Sequence, residues 1–161
     1  MKTSDRRTAA TPMQIGAGFT LIELMVTIAV AAILLAIGVP SFRDFVAGQR
    51  VRAASSDIVN ILTYARSEAI KRNTDVEIAP ATGGWQNGWT VTAGGQTLNR
   101  REAFSGLTIS GPTTTLAYAG TGRLKASVES FAASSSVSPT AGARCVSIEL
   151  SGLPSSKNGS C

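Results

Sequence analysis

Phe19 to Val39 reads FTLIELMVTIAVAAILLAIGV, a run of twenty-one residues whose single charge is Glu23. At 1.5 Å per residue such a helix would span about 30 Å, the thickness of a bilayer core, so the run predicts a transmembrane helix. Lys2, Arg6 and Arg7 precede it. Basic residues stay cytoplasmic, which predicts a cytoplasmic N-terminus and export of everything after the helix. Arg43, Arg50 and Arg52 on the far side oppose that orientation. Glu23 is the oddity, because a carboxylate inside an apolar span costs about 2.5–3.5 kcal/mol unless it is paired or near the interface. Either a cation meets it, or it sits close enough to the helix start for headgroup water and the positive end of the helix dipole to compensate.

A secretory signal places small residues after its apolar core, whereas Gly16, Ala17 and Gly18 come before this one. Gly18-Phe19-Thr20-Leu21-Ile22-Glu23 resembles the prepilin signal. That resemblance implies a membrane peptidase that cuts after Gly18 and methylates the new N-terminal Phe19, so that residues 1–18 form a leader and the helix survives. It also implies a partner for Glu23: the Phe19 amine of this or a neighbouring subunit, with the pair acting as a register for subunit assembly. Met13 offers a second start, with the leader MQIGAG, but that leader has no basic residue to set orientation.

Gly38-Val39-Pro40 interrupts the apolar run, and a proline there predicts a bend or local melting. Beyond it Phe42, Phe45, Val46, Val51, Ala54, Ile58, Leu62, Ala65 and Ala69 recur at helical spacing with charged residues between them. Residues 19 to about 72 therefore read as one kinked helix of roughly 80 Å, its second half amphipathic and laid on a sheet. The stretch Ala65-Arg66-Ser67-Glu68-Ala69-Ile70-Lys71-Arg72-Asn73 resembles a signature of the GspH/FimT family of minor pilins and pseudopilins. Read from its residues alone it is a helix end. Ala65, Ala69 and Ile70 face the sheet, Lys71 and Arg72 suit the C-terminal dipole, Asn73 caps, and the charges form a solvated face rather than a binding site.

After Asn73 the helical period stops. Val76–Ile78, Trp89–Thr92, Leu107–Ile109, Thr114–Tyr118, Val128–Phe131 and Cys145–Leu150 read as strands between glycine, asparagine and proline clusters. Gly83 to Trp89, GGWQNGW, reads as a hairpin turning at Asn87-Gly88. Its two tryptophans read as core or hairpin packing in preference to base stacking, since no basic residues are interleaved. Residues 132–143, AASSSVSPTAGA, are too small and polar to order themselves and predict an exposed, mobile loop. Gly120-Thr121-Gly122 before Arg123 and Lys125 is too slight a pattern to argue phosphate binding.

In an exported domain Cys145 and Cys161 predict a disulfide, with two buried free thiols as the alternative; the pair also resembles the C-terminal disulfide loop of pilins. Histidine is absent. That removes imidazole catalysis and four-ligand zinc sites, and no nucleophile-elbow or Ser-x-x-Lys pattern is present, so no enzyme, metal or cofactor is expected. The net charge of +5 falls to +3 once the leader is removed, a bias that permits an anionic partner without requiring one. Some FimT-like members hold DNA through a Gly-Arg-x-Arg motif on the C-terminal loop. Here that loop reads Ser151-Gly152-Leu153-Pro154-Ser155-Ser156-Lys157, with Leu153 and Ser155 where the arginines would stand, leaving only Arg144 and Lys157 for a weak DNA contact.

The expectation is thus an α+β, type IV pilin-like chain. It divides into a leader (1–18), a transmembrane and filament-core helix (19–39), an amphipathic continuation (40–73) and a β-rich domain with a disulfide loop (74–161). Its expected place is the inner membrane, single-pass, with the C-terminal domain in the periplasm. The expected partners are the prepilin peptidase and other minor and major pilins, and the expected role is priming a pilus tip complex. A DNA receptor for transformation and a minor pseudopilin of type II secretion are the alternatives.

Overall fold

The computed structural model describes residues 18–161, so the leader lies outside the described residues except for Gly18. Contacts divide the chain after Gly38 into two units. The first carries the start of helix α1 (Leu21–Arg72), and its residues Gly18 to Gly38 are all exposed. It is the one described helix long and apolar enough to cross a membrane. The helix runs unbroken through Gly38-Val39-Pro40, so the local melting expected there does not occur. Proline removes one N–H from the ladder, and the neighbouring turns hold.

The second unit, Val39–Cys161, contains the rest of α1 and eight strands. These are β1 (Val76–Pro80), β2 (Trp89–Ala93), β3 (Gln96–Arg101), β4 (Leu107–Ser110), β5 (Leu116–Tyr118), β6 (Phe131–Ser135), β7 (Ala143–Ile148) and β8 (Pro154–Asn158). They form two antiparallel sheets, ordered β3-β2-β1-β5 and β4-β6-β7-β8. One core joins them. Val51, Ala54, Ile58, Leu62, Ala65 and Ala69 of α1 meet Val76, Ile78, Val91, Leu116 and Tyr118 of the first sheet and Ile109, Phe131, Ala133 and Val146 of the second. Each large aliphatic side chain so buried contributes about 1.5–3 kcal/mol.

The helical stripe was expected to start at Phe42. It starts at Ala47 instead: Phe42 and Phe45 are 66% and 61% exposed, and Ile70 is also exposed. Spacing alone could not separate Phe42 and Phe45, which precede the part of α1 that the core covers, from the buried stripe, and Ile70 lies beside that stripe, next to Gly122.

The β1–β2 hairpin forms, but not around a two-residue turn. Its last pair is Pro80 with Trp89, and residues 81–88 form a loop holding a 3-10 turn at Trp85–Asn87. The tight turn is Gly94-Gly95, both at positive φ, which closes β2 onto β3 with Ala93 opposite Gln96. Leu98 is the extra residue of a bulge on edge strand β3. Both tryptophans are buried, Trp85 edge-on to Phe131 at 4.7 Å and Trp89 against Phe104 at 5.6 Å, so they are core aromatics. Trp85 Nε1 donates to the Pro112 carbonyl at 2.8 Å.

Residues 132–143 are not one loop. Ala132 to Ser135 complete β6, paired with β4 throughout and with β7 as far as Ser134, and Ala133 is buried. Small side chains do not prevent a strand whose backbone is hydrogen-bonded on both edges. Val128, expected as a strand start, precedes β6.

Candidate functional site

Thr20 sits just before α1, and its Oγ1 accepts a hydrogen bond from the Glu23 backbone N–H at 3.3 Å. The Leu24 N–H bonds the Thr20 carbonyl at 3.1 Å, so Thr20 is the N-cap and Glu23 the third helical residue. The spacing Thr-x-x-Glu is that of a capping box, a signal legible in the sequence and passed over there. Glu23 therefore has a local reason to stand where it does, in the first turn near the positive end of the dipole. Its carboxylate has no ion-pair partner among the described residues. Gly18 and Phe19 precede the helix, and Phe19 is 75% exposed.

The charges of the 65–73 stretch form a solvated face only in part: Lys71 and Arg72 are exposed, as expected, whereas Arg66 and Glu68 are not. Arg66 Nε donates to the Gly122 carbonyl at 2.9 Å. Glu68 is buried and takes Arg72 Nε at 2.7 Å and Lys71 Nζ at 3.6 Å. The Arg72 hydrogen bond holds its carboxyl below the usual glutamate range, against the opposing effect of burial. Asn73 caps as expected. At φ 49° it ends the helix in a Schellman motif, with its own N–H on the Ile70 carbonyl and the Thr74 N–H on the Ala69 carbonyl.

Arg66 also lies beside the C-terminal loop, which the 120–122 turn and Tyr118 hold. Gly152, at φ 83°, lies so close to the Gly122 carbonyl that an added Cβ would stand 2.3 Å from that oxygen. The Tyr118 hydroxyl donates to the Gly152 carbonyl at 3.2 Å. Burial pushes the Tyr118 phenol up to about 12, with the Arg66 charge opposing. Gly152 thus serves packing, whatever else its loop does. Sequence reasoning missed this cluster of Arg66, Tyr118, Gly122 and Gly152, because nothing in local spacing brings the 120–122 and 149–153 turns together.

Cys145 and Cys161 are joined in a disulfide with their Cα atoms 5.1 Å apart. The bond ties the tail to β7, where Cys145 lies opposite Lys157. Arg144 lies opposite Asn158, one position along. Successive residues of a strand point to opposite faces, so Arg144 and Lys157 stand on different sides of the sheet and form no shared patch. Arg144 lies toward α1 with Arg52, Ser55 and Ser156, and the Ser55 and Ser156 hydroxyls are 2.8 Å apart. Lys125 pairs with Asp75, which raises its pKa. Among the described residues no three His, Cys, Asp or Glu side chains cluster at metal-binding range.

A family model described as type II transport protein GspH matches residues 54–152, and one described as the prokaryotic N-terminal methylation motif matches residues 15–39. Two fimbrial proteins of Pseudomonas aeruginosa are each 41% identical over 54 residues, which is 34% of this chain and 35% of theirs. Fimbrial protein EcpC of Eikenella corrodens is 37% identical over 68 residues, 42% of each chain. The chain thus spans between about a third and two fifths of the length of these curated relatives. Two crystal structures of the type IV minor pilin FimU of P. aeruginosa strain PAO1 superpose with TM-scores of 0.59 and 0.56 at 23% and 24% identity. The alignments cover 68% and 66% of this chain and 89% and 91% of FimU. At that identity the likeness is one of fold.

Proposed function

The chain belongs to the GspH family, and from that premise we propose that it is a minor pilin or pseudopilin subunit that primes assembly of a type IV pilus tip complex. The observation that carries this reading is the exposed apolar start of α1 within a matched methylation motif. A helix with every side chain from Leu21 to Gly38 exposed needs lipid, or other helices, to cover it.

On this reading residues 1–18 are a leader cut after Gly18, and Phe19 is methylated. Residues 19–39 anchor the chain in the inner membrane and later join a filament core, residues 40–73 continue into the periplasm, and residues 74–161 form the exposed domain. Prepilin peptidase and other pilins are its partners, and no reaction is required of it. N-terminal sequencing of the membrane-extracted protein tests the assignment: a start at N-methylated Phe19 supports it, and any other start overturns it. Co-purification with pilus or with secretion components separates a pilus from a type II pseudopilus. DNA binding gains no support from the placement of Arg144 and Lys157 on opposite faces.

A further inference from the structure

A groove of about 230 Å³ lies within the second unit, where α1 meets the β7–β8 ladder. From α1 it takes Arg52, Ser55, Ser56 and Val59, whose spacing of three and four residues puts them on one helix face. From the sheet it takes Arg144 and Ser156. Arg144 pairs with Asn158 and Val146 with Ser156, so these residues share a face of the ladder, and the buried Val146 turns that face toward α1. Ser55 interrupts the apolar stripe of Val51, Ala54, Ile58 and Leu62 with a hydroxyl that is only 2% exposed. Its Oγ lies 2.8 Å from Ser156 Oγ.

We propose that this groove binds a phosphate dianion between Arg52 and Arg144, either the free ion or a phosphate joined to a larger molecule by a single ester bond. Charge is the first ground. The two arginines arrive from different elements, make no ion pair among the described residues, and meet no acid in the groove's lining. Asp44 and Asp57, the nearest acids along the helix, are engaged by Ser138 and Arg101. Like charges that converge with no acid between them repel, and an anion seated between them reverses the sign of that energy. The hydroxyl pair is the second ground. One proton is spent between Ser55 and Ser156, and each hydroxyl has one to give. With Ser55 donating to Ser156, the proton of the exposed Ser156 is free for an acceptor in the groove. The third ground selects the anion. A phosphate held by one ester bond carries about −1.5 to −2 charges near neutral pH and three acceptor oxygens. Two guanidinium forks match that charge, whereas a carboxylate or a phosphodiester carries one charge and leaves one arginine uncompensated.

The test uses the full chain, isotope-labelled and solubilised in dodecyl maltoside at about pH 8, where a phosphomonoester is a dianion. Inorganic phosphate, glycerol 3-phosphate and dimethyl phosphate are each titrated at fixed ionic strength, which holds charge screening constant, while amide shifts are followed. Phosphate should shift the amides around residues 52–60, 143–146 and 155–157 to saturation. Dimethyl phosphate should bind about tenfold more weakly, as should phosphate itself to R52Q or to R144Q. S156A should weaken phosphate severalfold, and the control pair R100Q/R123Q should leave it unchanged; the amide spectrum also reports that each variant is folded. Glycerol 3-phosphate binding as tightly as inorganic phosphate would make an esterified phosphate the ligand, and its exclusion would make it the free ion. Shifts that never saturate, dimethyl phosphate binding as tightly as phosphate, or affinity that persists in both arginine variants would each overturn the site. So would a duplex oligonucleotide without terminal phosphates that binds these residues more tightly than glycerol 3-phosphate does.

Discussion

At Glu23 two physical accounts meet. The capping geometry with Thr20 explains how the residue is tolerated at a helix start, and its carboxylate, without an ion-pair partner among the described residues, is left for the assembly role proposed above. Glu23→Ala should leave insertion and processing intact and reduce incorporation into filaments, measured by the subunit content of sheared pili; normal incorporation would sink the pairing role. A bulky substitution at Gly18 should block processing, seen as a product heavier by the leader. Gly152 carries a different kind of constraint, since its positive φ and its approach to the Gly122 carbonyl both exclude a side chain. Gly152→Ala should lower unfolding stability by about 2 kcal/mol or more, read from the denaturant midpoint of the detergent-solubilised chain.

Among the elements, the C-terminal strand depends on its staple. β8 reads Pro-Ser-Ser-Lys-Asn, an edge strand without an apolar face, and the disulfide closes the loop from Cys145 to Cys161 around it. Reduction, or Cys161→Ser, should cost about 3 kcal/mol in the chain-entropy account and speed amide exchange in β8 before β7. Exchange that is unchanged in β8 would show that the strand holds by its ladder alone. β8 and β3 were also the strands that sequence reading overlooked. Gln-Thr-Leu-Asn-Arg-Arg and Pro-Ser-Ser-Lys-Asn lack the alternation that one buried face imposes, because both lie on sheet edges and pack little. By contrast β1, β2 and β4 were legible, since Val76 and Ile78, Trp89 and Val91, and Leu107 and Ile109 alternate in register with burial. The apolar run at the start of α1 needed no periodicity at all, because its composition alone marks it as long and apolar enough to cross a membrane.

For the molecule as a whole, stability should fall at both ends of the pH scale. Glu68 and Asp44 have folded pKa values depressed by Arg72 and by Ser138, respectively. Their stabilisation is present above the ordinary carboxylate values of 4.5 and 3.8 and is lost as pH drops through the lower folded values. Tyr118 and Lys125 are raised, so their stabilisation is present below 10.0 and 10.5 and is lost as pH climbs beyond. A thermal melting series should therefore show a plateau across neutral pH, with an alkaline fall that Tyr118→Phe reduces, leaving the part that Lys125 carries. An alkaline fall that is unchanged by that substitution would exclude Tyr118 as a cause. The long-range cluster around Tyr118 was invisible in the sequence for the same reason that it matters here: two turns some thirty residues apart meet only once the sheets are built.

Because Thr20 caps the helix that opens at Leu21, cleavage after Gly18 would leave only Phe19 outside it. One residue reaches about 3.5 Å at full extension. The mature amine would then ride within a single residue's length of the rod's end, so that an arriving acid would meet it at nearly one vertical offset.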